Sequence, residues 1–151
     1  MKKCEVCEVL TIDQDVIFET KFWRVSLDRS DQYYLGRSFV TVKRHTGDLA
    51  ELTSTEWLDL QEVISKYETA VRSVFGAIVF NWSCLTNNAF QTKPYNPHIH
   101  WHVRPRYDKV VEVGSQVFTD NEFGHHYARS TSLGVSGDVA AAIIKKIKGN
   151  L

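Results

Sequence analysis

Asn96-Pro97-His98-Ile99-His100-Trp101-His102-Val103-Arg104-Pro105-Arg106 places three of the chain's six histidines on alternate positions. Ile99, Trp101 and Val103, which separate them, are β-branched or aromatic, as a half-buried strand prefers. Successive side chains of a strand point to opposite faces. His98, His100 and His102 therefore share one face, and the three residues between them enter the core. With about 3.3 Å of rise per residue, neighbouring imidazoles stand roughly 6.7 Å apart, and the outer two Cα atoms about 13 Å apart. A first-row metal holds histidine nitrogen at roughly 2.0–2.1 Å, so one flat strand hardly closes all three rings on one ion. A row of donors suits an extended anion such as a polyphosphate better. The alternative is a solvated strand face that happens to be rich in histidine.

Upstream of this strand, Val16 to Thr20, Phe22 to Leu27 and Ser38 to Lys43 read as strands, and Ala77 to Leu85 as a buried one. Thr53 and Glu56 have capping-box spacing. From there Trp57, Leu60, Ile64, Tyr67, Val71, Val74 and Phe75 recur at helical intervals, with Gly76 as the C′ stop. Thr86 to Pro97, rich in asparagine and proline, reads as a loop into the histidine strand. Ser136-Gly137-Asp138 starts a last helix, Val139 to Lys148, with Lys145, Lys146 and Lys148 near its C-terminus. The order predicts an α+β domain with an antiparallel sheet.

At 151 residues the chain is the size of one domain, large enough to bury about 68–70% of its unfolded surface. A 43% apolar and 24% charged composition is that of an ordinary soluble protein. Net charge is zero and no basic patch is visible, so long nucleic acid is not an expected partner and phosphate must be held by local donors. Nothing approaches the roughly 20 apolar residues of a membrane span. Met1-Lys2-Lys3-Cys4-Glu5 is no apolar signal region, which points to the cytoplasm. There the three cysteines stay reduced, and their odd number argues against a disulfide framework.

The histidine strand resembles the signature of the histidine triad (HIT) family of nucleotide hydrolases and transferases, His-φ-His-φ-His-φ-φ with φ hydrophobic. The match holds from His98 to Val103, and Pro105-Arg106 is also common in the family. It departs at Arg104, where a second trailing hydrophobic residue is expected. Leu35-Gly36-Arg37-Ser38-Phe39-Val40-Thr41-Val42-Lys43-Arg44-His45 is similar to the family's glycine-histidine strand ending in Lys-x-His, with Arg37 in place of the histidine. The resemblance covers a core of about residues 4–107, leaving 108–151 as a C-terminal extension of one HIT-like domain, 1–151. It implies a sheet of about five antiparallel strands with one long helix and a C-terminal helix. It also implies a homodimer with a continuous sheet.

The chemistry of the row is consistent with that family. A neutral imidazole is a good nucleophile near pH 7, because its reference pKa is about 6.5. Attack on phosphorus gives a nucleotidyl-histidine and splits one hard displacement into two easier ones. Flanking histidines can donate to the phosphate oxygens. The resemblance makes His100 the nucleophile and His102 the contact to phosphate and leaving group, with His98 completing the catalytic set. Asn87, eleven positions before His98, stands where the family has a phosphate-binding amide. Asp28 resembles the acid that holds the ribose hydroxyls, and a carboxylate can accept from both members of a diol. The family's serine or threonine three residues before the first histidine is Tyr95 here, with Pro97 directly before His98. Gln91 and Thr92 come near without fitting that register, and Gln91 is taken as a further substrate contact.

Cys4-Glu5-Val6-Cys7 has the knuckle spacing of zinc sites, and a tetrahedral structural zinc needs two more ligands. Relatives supply the Lys-x-His histidine and the first triad histidine, which match His45 and His98; a metal-free cysteine pair is the alternative. Cys84, in an apolar strand, reads as a buried thiol. Phe123-Gly124-His125-His126-Tyr127 reads as a docking loop, since consecutive residues cannot share a strand face. The helix from Glu56 to Phe75 carries more apolar residues than one core stripe needs, Leu58 among them, which fits core plus a subunit contact.

These readings lead to a HIT-type nucleotidyl hydrolase or transferase cleaving at the α-phosphate of dinucleoside polyphosphates, nucleoside phosphoramidates or adenylylated compounds. Any zinc would be structural, and no catalytic cofactor is required. Two rivals remain. One is a nucleotide-binding module with negligible turnover, favoured by Arg104, Tyr95 and Arg37. The other is a metalloenzyme using His98 and His100 as ligands.

Overall fold

The capping box anticipated at Thr53 is formed in the computed structural model, which describes residues 4–151. Thr53 N–H donates to Glu56 Oε2 at 2.7 Å, and Glu56 N–H donates to Thr53 Oγ1 at 3.3 Å. This start sets helix α2, Ser54–Phe75; α1 is a short N-terminal helix, Glu5–Val9. Gly76 ends α2 in the left-handed region at φ 77, where its N–H reaches Arg72 O and where a side chain would be strained. Leu60, Val63, Tyr67, Ala70, Val71 and Phe75 recur on the face of α2 that is buried in the core.

Five strands form the main sheet: β1 Val16–Glu19, β2 Trp23–Leu27, β3 Ser38–Val42, β4 Val79–Cys84 and β5 His100–Arg106. Their order is β1-β2-β3-β5-β4 and every pairing is antiparallel. The histidine strand is therefore internal, between β3 and the edge strand β4. The fold is α+β, as the residue pattern predicts. A separate hairpin, β6 Val111–Val113 with β7 Gln116–Phe118, follows, and α3, Gly137–Lys148, closes the described chain. Ser136 caps α3 by accepting from Val139 N at 3.3 Å, and Val139, Ala140, Ile143, Ile144 and Ile147 are buried. α3 packs on α2, β1 and β6, so the C-terminal residues extend the core.

Three expectations change. Ala77–Leu85 was expected as a buried strand, but β4 is an edge strand with Val79 47% exposed. Regular pairing of the histidine strand begins at His100, so His98 lies just ahead of it, tied in through Ile99 N to Thr46 O at 2.8 Å. The first helix and the β6–β7 hairpin were not anticipated, being too short to show a period. No helix among the described residues is long and apolar enough to cross a membrane.

Candidate active site and metal centre

Strand pairing builds the site. Thr41 lies opposite His100, and Phe39 and Ser83 lie on either side of His102. Over this face opens a cleft of about 390 Å³ whose lining includes His98, His100, His102, Asn87, Asn88 and Asn96. The His100 and His102 rings are 5.0 Å apart between centroids, closer than the strand repeat alone would place them, because the rings lean together. Phe39 packs its ring against His102 at 5.0 Å and His100 at 6.2 Å, restricting both.

The backbone selects a tautomer at His100. Its Nδ1 lies 2.8 Å from the His98 carbonyl, which can only accept, so Nδ1 carries the proton. Nε2 is left with a lone pair. His102 is held neutral: burial, then the charges of His100, Arg104 and Arg37, push its pKa down to about 3. Its Nδ1 is buried without a partner, which favours the proton on Nε2, where it can donate to an anion.

His98 faces the cysteines. It is 2% exposed, and its Nε2 donates to Val42 O at 2.8 Å, leaving Nδ1 unprotonated. That Nδ1 is 3.5 Å from Cys4 Sγ and 3.4 Å from Cys7 Sγ, while Cys7 Sγ is 3.4 Å from His45 Nδ1. The four donor atoms all lie within 4.8 Å of one another. A tetrahedron with Zn–S of about 2.3 Å and Zn–N of about 2.0–2.1 Å has a sulfur-to-nitrogen edge of roughly 3.6 Å. The donor set fits zinc in residue type, tautomer and spacing. Burial and the neighbouring Cys4 push the Cys7 thiol up to about 11. Cys84, half-buried and apart from this cluster, also has its thiol pushed up by burial.

The remaining expected residues divide. Asn87 opens the short turn Asn87–Phe90 and lines the cleft. Gln91 is exposed, donates to Asn88 Oδ1 at 3.3 Å, and is not part of the cleft lining. Asp28 is 5% exposed and lies off the cleft. Its Oδ1 accepts from Ser30 Oγ at 2.6 Å, and its Oδ2 sits 3.2 Å from Arg37 Nε. It borders an apolar recess with Val9, Ile12 and Phe39, and Phe39 joins that recess to the histidines. Sequence reasoning marks Arg37 and Arg104 only as departures from the family pattern and gives Arg106 no role of its own. Arg37 bridges Asp28 and Asp31, and Arg106 forms a buried pair with Asp120 that anchors the loop from Asp120 to His125. Alternation along β5 already put Arg104 and Arg106 on the histidine face.

No protein-family model matches the sequence, and no curated protein does. Solved structures do match. A hypothetical histidine triad nucleotide-binding protein from Sulfolobus tokodaii superposes with TM-score 0.69 at 15% identity, over 97% of this chain and 91% of that one. A zinc-bound histidine triad family protein from Mycobacterium smegmatis gives 0.60 at 21% identity, over 97% and 94%. A uridylyltransferase mutant gives 0.64 at 20% identity, over 98% of this chain and 48% of that one. The chain has the histidine triad fold.

Proposed function

We propose that this chain is a histidine triad nucleotidyl hydrolase or transferase that works through a nucleotidyl-His100 intermediate. The observation that carries this reading is the His98 carbonyl fixing the His100 proton on Nδ1, which leaves Nε2 as the nucleophile. Nε2 attacks the α-phosphorus, a nitrogen–phosphorus bond forms, and the bond to the leaving group breaks with its electron pair. His102, neutral and free to donate from Nε2, stabilises charge on the phosphoryl oxygens. Water or another acceptor then displaces His100 and takes the nucleotidyl group. The apolar recess of Val9, Ile12 and Phe39 suits a nucleoside; Asp28 borders it, and a ribose would have to compete there with Ser30 and Arg37 for the carboxylate. Cys4, Cys7, His45 and His98 would hold zinc as a structural ion, tying α1 to the strands that carry the site. Substrates of this class are dinucleoside polyphosphates, nucleoside phosphoramidates and other adenylylated compounds. Three unpaired thiols suit a reducing, cytoplasmic setting.

A second reading, a nucleotide-binding module with negligible turnover, draws on Arg37, which already occupies the Asp28 carboxylate. Intact-mass spectrometry after rapid quenching separates the two. The enzyme accumulates a nucleotidyl adduct on His100, and His100→Ala loses the adduct and several orders of magnitude of turnover while keeping its fold. Binding with no adduct, or a His100→Ala variant retaining more than a few per cent of turnover, overturns the proposal.

A further inference from the structure

β5 continues its alternation past the histidines, so Arg104 and Arg106 follow on the same face. The two arginines are used differently. Arg106 employs all five donors: Nε and Nη2 grip Asp120 at 2.6 and 3.0 Å, Nη2 also reaches Glu122 O at 2.6 Å, and Nη1 meets Asn81 Oδ1 and His125 O at 3.0 and 2.9 Å. Arg104 is 7% exposed, yet among the described residues its one hydrogen bond runs from Nη1 to Ser83 Oγ at 3.3 Å. It has no carboxylate within ion-pair distance among those residues. Removing a guanidinium from water without a counter-charge is expensive.

Its surroundings are those of a receptor for an anion. The guanidinium lies over the Tyr127 ring, 4.2 Å from its centroid, a contact that uses none of its N–H donors and leaves them for a two-oxygen acceptor. The register Ser38 opposite Val103 and Phe39 opposite His102 carries on to place Arg37 beside Arg104. Like charges in facing positions repel, and among the described residues only Arg37 has carboxylates, Asp28 and Asp31, to offset its charge. These two arginines, Arg129, Ser130 and Thr131 border a cavity of about 300 Å³, where Asp31 also lies with its carboxylate paired to Arg37, and the cavity shares Leu85 with the histidine cleft.

We propose that Arg104 and Arg37, with Arg129 at the rim, form a phosphate subsite contiguous with the histidine cleft that receives the distal phosphates of the leaving group. The identity of the occupant rests on the function proposed above; the anion site itself does not. One strand step of about 6.7 Å separates His102 from Arg104, within reach of a short phosphate chain. The chain then prefers substrates that release a phosphate chain over phosphoramidates, which release an amine.

The test has two arms. Calorimetry with pyrophosphate on wild-type and Arg104→Gln protein reads the subsite without turnover, and the variant should bind about ten- to a hundredfold more weakly. Kinetics with a dinucleoside tetraphosphate and a nucleoside phosphoramidate should show the ratio of their kcat/KM values falling at least about tenfold in Arg104→Gln. If that variant fails to fold, exposed Arg129→Ala is read in both arms, with a smaller shift of the same sign. Pyrophosphate failing to bind wild type, or both substrates losing rate equally, overturns the subsite. Pyrophosphate binding that depends on Arg104 in a protein with no nucleotide turnover supports the subsite and counts against the proposed function alone.

Discussion

Asp120→Ala is expected to destabilise the fold by about 3–5 kcal/mol, the cost of breaking a buried ion pair from one side. The carboxylate is 1% exposed and the paired guanidinium 4%. Four donors depend on it: Arg106 Nε at 2.6 Å, Arg106 Nη2 at 3.0 Å, and the backbone N–H groups of Tyr107 and Glu122, each at 3.2 Å. Truncation leaves Arg106 charged and buried, with Nη1 and one Nη2 contact satisfied only by neutral oxygens. For a domain of this length each kcal/mol moves the melting temperature by about 2–4 °C, so a fall of roughly 6–20 °C should appear. Urea unfolding followed by tryptophan fluorescence gives the free energy directly. Asp120→Asn, which keeps one acceptor and no charge, should fall between wild type and Asp120→Ala. Pairing Asp120→Ala with Arg106→Met should recover part of the loss, because the stranded charge is then gone. A loss for Asp120→Ala below about 1 kcal/mol, the size of an exposed pair, would refute the reasoning.

Three further outcomes are expected. Protein purified without chelators should carry about one zinc per chain, and stripping it should lower the melting temperature by removing a ligand of the native state; elemental analysis finding no metal defeats this. The unfolded chain protonates His102 near its ordinary pKa of about 6.5 and the folded chain only near 3, so stability falls as pH drops through that window and is regained above it. His102→Gln should flatten that limb of the pH–stability curve, and an unchanged slope would count against a depressed pKa. The chain should form a homodimer through exposed Trp57 and Leu58 and the edge strand β4, weakened by Leu58→Glu; an active monomer by light scattering at micromolar concentration rules this out.

How far the fold could be read from residues follows from the range of the forces involved. The α2 boundaries came out because Thr53, Glu56 and Gly76 act within one helical turn of each end, where local hydrogen bonding decides. The β4 edge did not, because which strand lies outermost is settled by pairing with partners far along the chain. The metal donors show the same limit. Cys7 meets His45 across 38 positions and His98 across 91, distances at which spacing says nothing and only a resemblance pointed to the set. Gln91 was drawn toward the site by proximity in sequence, and its own turn keeps its side chain at Asn88.

The arginines mark where a period was visible but its chemistry was not. Positions 98, 100, 102, 104 and 106 form one row by alternation alone. Nothing in that pattern separates an arginine that holds the fold from one that can hold a ligand. The difference lies in the partners: Asp120, Glu122 and His125 of the extension, with Asn81 of β4, satisfy Arg106, whereas the extension offers Arg104 the face of Tyr127. An aromatic face orients a guanidinium without neutralising it. The extension thus satisfies one arginine and, among the described residues, leaves its neighbour without a carboxylate beside the histidines, and the Arg104→Gln kinetics test whether that difference carries into substrate choice.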